Sequence, residues 1–246
     1  MENKHIIIYG GTSLISKEIL KILSNEFEQF TIFCRQKKIV EQYIHELNIN
    51  HLKINFCEVD ILNLEKNLSF IENLESNISG LIWISGSTGN ADDEFINLTK
   101  CEENIRINFL NPVLLINKLV PKIKTENESF IVALTSVAGL RGRSNRLFYS
   151  SAKSGFITYL SALRQRLFSK KINVITVIPG YMKTKAFEKG GWKAPSFLIS
   201  NPTKAAQIIV SAIKSKKEIV YLNFFWQLIM FCINLIPEKI FKRLKF

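Results

Sequence analysis

Ser136, Tyr149 and Lys153 are the residues of this chain whose types and spacing could do chemistry. Tyr149 and Lys153 stand four apart, which on a helix puts them on one face. A phenol held beside an ammonium makes an acid that can work near neutral pH. A free tyrosine loses its proton near pH ~10. A unit positive charge ~4 Å away contributes roughly 4 kcal/mol at an effective dielectric of ~20. At about 1.4 kcal/mol per unit, the phenolate is favoured by up to about three units, fewer with solvent screening. Many surface helices carry such a pair; the weight here comes from Ser136 upstream and from a turn at Gly10-Gly11.

The elements that must position these groups are legible as apolar runs of strand length alternating with segments of helical period. Expected strands are His5–Tyr9, Phe30–Cys34, Leu52–Glu58, Gly80–Ser85, Ser129–Thr135, Asn173–Ile178 and Glu218–Leu222. Expected helices include Ser16–Phe27, Lys37–Leu47, Glu102–Pro121 and Tyr149–Ser169. Strands this apolar are expected to be covered on both faces, as in a parallel sheet between helical layers. The expectation is an α/β fold of Rossmann type: a doubly wound parallel sheet of about seven strands in three α/β/α layers. A chain of 246 residues fits one such domain, 1–246, with an extra C-terminal helix over about 224–246.

Composition narrows the function classes. The net charge of +12 admits nucleic acid, an anionic membrane or a phosphorylated ligand. No helix-turn-helix, zinc or aromatic-stacking pattern accompanies it, so nucleic acid is set aside. Cys34, Cys57, Cys101 and Cys232 form no C-x-x-C pair and read as buried or incidental thiols, which suits a reducing cytoplasm. His5, His45 and His51 lack metal-ligand spacing, so no metal is expected. The opening run Ile6-Ile7-Ile8-Tyr9 is too short for the apolar region of a signal peptide.

The first strand runs into Tyr9-Gly10-Gly11-Thr12-Ser13-Leu14-Ile15-Ser16. A glycine turn there presents backbone N–H groups at a helix N-terminus, where a pyrophosphate can sit. It could also be a tight structural turn. Later come Ser85-Gly86-Ser87-Thr88-Gly89, Asn108, the Ser136 to Lys153 stretch, and Pro179-Gly180-Tyr181-Met182-Lys183-Thr184. In these motifs the chain resembles the short-chain dehydrogenase/reductase family over essentially its whole length. The resemblance implies an oxidoreductase with a nicotinamide cofactor. Ser136 would orient and polarise a substrate carbonyl, Tyr149 would donate the proton, and Lys153 would lower the phenol's pKa while binding the nicotinamide ribose. Asn108 would join a proton relay. Gly10, Thr12, Ser13, Leu14, Ile15, Ser85, Gly86, Pro179, Gly180 and Thr184 would line the cofactor. The family's turn carries glycine where this chain has Leu14 and Ser16, so Leu14 should limit backbone approach to a phosphate and Ser16 should loosen helix–strand packing, with hydrogen bonds from Ser13 and Ser16 able to compensate in part.

Arg35, just past the second strand, is the residue type that accommodates the 2′-phosphate of NADP, or else a solvated loop cation. Asp60, with Ile61 behind it, matches an adenine-contacting aspartate or caps the helix starting near Leu62. The segment Lys185–Asn201 reads as a substrate lid or an ordinary connection.

Three runs narrow the resemblance: Gly10-Gly11-Thr12-Ser13, Val137 to Asn145, and the C-terminal tail. Together they look like decaprenylphosphoryl-2-keto-ribose reductases, which implies a polyprenyl-phosphate-linked keto-sugar as substrate and an oxidase that makes it as a partner; the alternatives are a reductase of another lipidic ketone, such as a 3-oxoacyl thioester, or a non-catalytic NADP-binding regulator. Arg141, Arg143 and Arg146 would face a lipid phosphate or form a solvated basic loop. The family implies a homo-oligomer built on the two long helices. Phe224–Ile236 is too short to cross a bilayer and reads as a core or dimer helix, or as an interfacial helix on the inner face of the membrane.

Overall fold

The computed structural model describes residues 4–49, 51–89, 96–125, 128–183 and 194–244. Seven strands form one wholly parallel sheet: β1 (His5–Tyr9), β2 (Gln29–Cys34), β3 (Lys53–Glu58), β4 (Ile78–Trp83), β5 (Phe130–Leu134), β6 (Asn173–Ile178) and β9 (Ile219–Tyr221). Their order across the sheet is β3-β2-β1-β4-β5-β6-β9. Two short strands, β7 (Tyr181–Met182) and β8 (Ile199–Ser200), pair apart from it. The chain order reverses between β1 and β4, and the crevice above such a reversal is where open α/β sheets take their ligands.

Alternation along each strand divides the core. Ile6 and Ile8 of β1 face one cluster with Phe30, Ile32 and Val132, whereas Ile7 and Tyr9 face another with Leu81, Trp83 and Ile131. Helices α1 (Leu14–Leu23), α2 (Lys37–Glu46) and α7 (Pro202–Lys214) cover the first face. Helices α3 (Leu64–Glu72), α5 (Asn111–Leu119) and α6 (Leu147–Leu167) cover the second. The three-layer expectation is met, except that β3 is not covered on both faces. As the sheet's edge it leaves Lys53, Asn55 and Glu58 to water or near it, with only Cys57 fully buried.

The expected long helix before β5 is α4 (Leu98–Ile105), a π-helical segment Arg106–Leu110, and α5 in continuous succession. Beyond β9 the tail is two helices rather than one. Helix α8 (Phe224–Leu235) is capped by Asn223, whose Oδ1 accepts from Phe225 N at 2.9 Å. Pro237 then breaks the run, with Ile236 held extended before it, and α9 (Glu238–Phe241) follows. Among the described residues no helix is long and apolar enough to cross a membrane.

Arg164 of α6 fastens the far edge of the sheet. Its Nε donates to Val174 O at 2.9 Å, and its Nη2 donates to Thr176 Oγ1 at 2.8 Å and Glu218 O at 2.9 Å. Arg164→Leu removes these donors and leaves their acceptors to find others, which should cost about 2 kcal/mol. Urea unfolding should show the midpoint falling with an unchanged slope.

Candidate active site

The turn after β1 is closed by its own backbone. Gly10 and Gly11 N–H groups both donate to Phe33 O, at 3.0 and 3.1 Å, and Ser13 N donates to Gly10 O at 3.0 Å. Gly10 has φ +94°, and a Cβ there would stand 2.8 Å from Ser85 N, so only glycine fits between the ends of β1 and β4. A Cβ on Gly11 would meet Ile32 Cγ2 at 2.3 Å. Gly11, expected only as part of the turn, therefore supplies the close approach to β2. Ser16 does not loosen the packing: it is fully buried and its Oγ donates to Gly10 O at 2.8 Å, tying α1 to the turn. Ser13 caps α1 by accepting from Ile15 N at 3.2 Å.

Above the turn lies a cleft of about 290 Å³ lined by Gly10, Thr12, Ser13, Arg35, Asp60, Ile61, Ser85 and Gly86. Eight of the residues expected to hold a cofactor thus share one concavity. Leu14 and Ile15 do not line it; Leu14 is turned to solvent and Ile15 is buried in the core. The cleft also has a lining that sequence reasoning missed. Tyr9 and Phe33 line it, stacked at a centroid distance of 4.0 Å, and Tyr9 stacks at 4.2 Å on Trp83, which is buried behind them. Asn67, also in the lining, is fully buried and donates to Asp60 O and Asn63 O, each at 2.8 Å. An asparagine on the buried face of an amphipathic helix was the available signal. Asp60 does not cap α3, since that task falls to Asn63, whose Oδ1 accepts from Lys66 N at 3.0 Å. Asp60 instead accepts from Leu62 N at 2.9 Å and faces Arg35 at 4.0 Å, both side chains well exposed at the mouth.

Gly86 joins this cleft to the chemical residues. A Cβ on it would lie 3.1 Å from both Asn108 Oδ1 and Lys153 Nζ. Asn108, in the π-helical turn, is fully buried; its Oδ1 accepts from Ser87 N at 3.1 Å and its Nδ2 donates to Ser87 O at 2.7 Å. The same amide group lies 3.0 Å from Asn104 O and 2.9 Å from Asn104 Oδ1. Ser136 stands two residues past the end of β5, its Oγ accepting from Ala138 N at 3.1 Å, and its side chain also hydrogen-bonds Tyr149. Lys153 Nζ is buried, 5.8 Å from the centre of the Tyr149 ring and 3.4 Å from Leu134 O.

The expected pKa relation between this pair needs correction. Burial holds the Tyr149 phenol above its ordinary value, opposed by the Ser136 hydrogen bond and the Arg146 charge rather than by Lys153. Burial also lowers the Lys153 ammonium from 10.5 to about 8.

Pro179 accepts from Val137 N at 3.0 Å, and Gly180 is packed under Trp226, where a Cβ would meet the indole Nε1 at 2.0 Å. Thr184 and most of the expected lid, 184–193, lie outside the described residues. Arg141 is turned into the tail and is not a solvated loop cation. Its Nη1 donates to Ile233 O at 2.6 Å, its Nη2 pairs with Glu238 at 3.0 Å, and its guanidinium lies 3.9 Å from the centre of the Phe241 ring. Arg143 Nη2 contacts Met230 Sδ at 3.7 Å. Both arginines hold the tail.

The short chain dehydrogenase family profile matches residues 4–192. The chain belongs to this family. It is therefore an oxidoreductase of a family that uses a nicotinamide cofactor. Among curated relatives it is 24% identical over 189 residues to the 3-oxoacyl-[acyl-carrier-protein] reductase of Bos taurus, covering 74% of this chain and 77% of that protein. It is 24% identical over 230 residues to the ketoacyl reductase HetN of Nostoc sp., covering 91% of this chain and 79% of that protein. Among solved structures, a Burkholderia cenocepacia short chain dehydrogenase in complex with NADP superposes with a TM-score of 0.82 at 16% identity, covering 100% of this chain and 98% of that one. A Sphingobium yanoikuyae short-chain dehydrogenase in complex with NADPH gives 0.80 at 14% identity, covering 96% and 97%.

The depressed Lys153 pKa makes a stability prediction for this family member. Between about pH 8 and 10.5 the unfolded chain holds a proton that the folded chain does not, so this group alone makes stability rise with pH across that window. Below pH 8 the full cost of burying the charge is present, at most about 3.5 kcal/mol at ~1.4 kcal/mol per unit. Lys153→Met should accordingly gain on the wild type at pH 7 and lose that advantage by pH 10, as read by urea midpoints at matched pH.

Proposed function

We propose that this oxidoreductase reduces a ketone carried on a lipid, with NADPH as the reductant. The observation that carries the reading is the meeting of Ser136, Tyr149 and Lys153 at the same sheet edge as the glycine turn, joined to it through Gly86. When bound, a nicotinamide would supply the hydride that the carbonyl carbon receives. The residues of the chain do the rest. Ser136 holds and polarises the carbonyl oxygen, and Tyr149 gives its phenolic proton to that oxygen as the alcohol forms. A phenol raised by burial remains protonated at neutral pH and is ready to act as a donor. Lys153 keeps most of its charge at pH 7 and would hold the ribose hydroxyls of a bound cofactor. Asn108 fixes the Ser87 backbone beside them. Arg35 at the cleft mouth, with no carboxylate ending β2, supports NADP over NAD.

Two substrates satisfy this chemistry. The Gly10-to-Ser13 turn, the Val137-to-Asn145 run and the apolar tail support the 2-keto group of a polyprenyl-phosphate-linked keto-sugar, the second step of an epimerisation in cell-envelope glycan synthesis. An oxidase partner would then supply the ketone, and the enzyme would work at the cytoplasmic face of the membrane. The names of the curated relatives support a 3-oxoacyl thioester instead. The tail's capture of Arg141 removes one argument for a lipid phosphate at that loop. Members of the family generally form homo-oligomers, and here the two long helices would build the contact.

Purified protein assayed with NADPH on a 2-keto polyprenyl-phosphosugar and on an acetoacetyl thioester separates the two. Turnover of the sugar is expected, and turnover of the thioester alone assigns the second substrate. Tyr149→Phe should cut turnover on whichever substrate is used by about 10²–10⁴-fold. Cofactor affinity, read by fluorescence titration, should stay within about threefold, a difference under ~1 kcal/mol.

A further inference from the structure

Helix α8 is apolar on both sides but covered on one. Trp226 and Met230 are buried against Val137 and Ile178, whereas Phe224, Phe225, Leu228, Phe231 and Leu235 face outward. Phe231 is 62% exposed and Leu235 67%. These outward residues recur at helical spacing and make one stripe along a helix of 12 residues, roughly 18 Å long. Folded monomers seldom present so large a contiguous apolar stripe to water without a use for it.

The charges around the stripe select its occupant. No charged residue lies between Glu218 and Glu238. Glu238 is neutralised by Arg141 at 3.0 Å. At the C-terminal end stand the exposed Lys239, Lys242 and Arg243, and at the other end Lys204 and Lys217 line the groove beside Phe224 and Phe225. Cations thus flank both ends of the stripe. A second copy packed on this face about a two-fold axis would bring like charges together whether the helices ran parallel or antiparallel. An anionic bilayer surface meets both features at once, taking the stripe into its interface and the cations at its headgroups.

We propose that α8 is an interfacial anchor that seats the protein on anionic membranes with its axis in the membrane plane. The inference stands apart from the substrate reading, because it concerns binding and not turnover.

Flotation of the full chain with vesicles tests it. With phosphatidylcholine containing about one third phosphatidylglycerol, recovery should exceed that with phosphatidylcholine alone by about tenfold or more, and should fall at high salt. The double variant Leu228→Glu/Phe231→Glu, changed only at exposed positions, should keep its melting temperature and lose binding about tenfold or more. The triple variant Lys239→Glu/Lys242→Glu/Arg243→Glu should also bind the anionic vesicles at least about tenfold less. Folded wild type that stays unbound, or binds neutral vesicles equally well, overturns the proposal. So does loss of a dimer by the glutamate pair, seen on sizing, without any vesicle binding by the wild type; the stripe is then a contact between copies.

Discussion

The Lys153 ammonium is held almost wholly out of water, 3.4 Å from the Leu134 carbonyl and under the backbone of Gly86. Burying a cation is costly unless fixed dipoles replace its hydration, and the drop of its pKa to about 8 registers that cost. The arrangement needs Gly86 to lack a side chain, β5 to deliver a carbonyl, and α6 to enter at an angle that carries Lys153 inward. Gly139 enforces the last condition, since a Cβ there would come within 2.7 Å of the Lys153 carbonyl carbon. The sheet edge and α6 are therefore fixed with respect to each other by the same contacts that isolate the charge. A dinucleotide ribose arriving beside Gly86 would bring hydroxyl dipoles to an amine already stripped of most of its water.

The polar network around Asn108 serves the same constraint from the other side. At the entry to the π-helical turn the backbone carbonyl of Asn104 accepts from the Asn108 side-chain amide at 3.0 Å. The Asn108 carboxamide then clasps both the N–H and the C=O of Ser87. A side chain that satisfies both polar groups of one residue holds that loop as a neighbouring strand would. Asn108 was expected in a proton relay; its hydrogen bonds make it first a clasp on the loop that bounds the cleft.

What the sequence disclosed follows from the range of the forces involved. Strands β1 and β6 were readable to the residue, because their apolar runs open on a polar residue, His5 or Asn173, and stop at Gly10 or Pro179. Strand β4 begins two residues before the run that marked it, at Ile78, where pairing with β1 rather than hydropathy sets the start. Ser136, Tyr149 and Lys153 were legible because two lie four apart on one helix and the third follows a strand. The work of Gly11 was not, since it depends on how near Ile32 approaches from another strand. Arg141 was misread for the same reason: its partners at Ile233 and Glu238 lie over ninety residues away, and local pattern made it look like an exposed cation.

Those distant contacts give the tail its place in the design of the site. Trp226 fills the space over Gly180 and donates to Leu198 O at 2.9 Å, while Arg141 holds the last turn of α8 and the following α9. The loop after β5, which carries Ser136, and the loop after β6, which carries Pro179 and Gly180, are thereby pinned to one helix. Val137 and Ile178 bury against that helix together. The outward stripe of α8 is thus a rigid extension of the rim of the candidate site, with no linker between them. Whatever surface meets Phe231 and Leu235 is held at a fixed offset from Tyr149. A substrate anchored in that surface would reach the phenol by extending across the rim, without needing to leave the surface and diffuse to it.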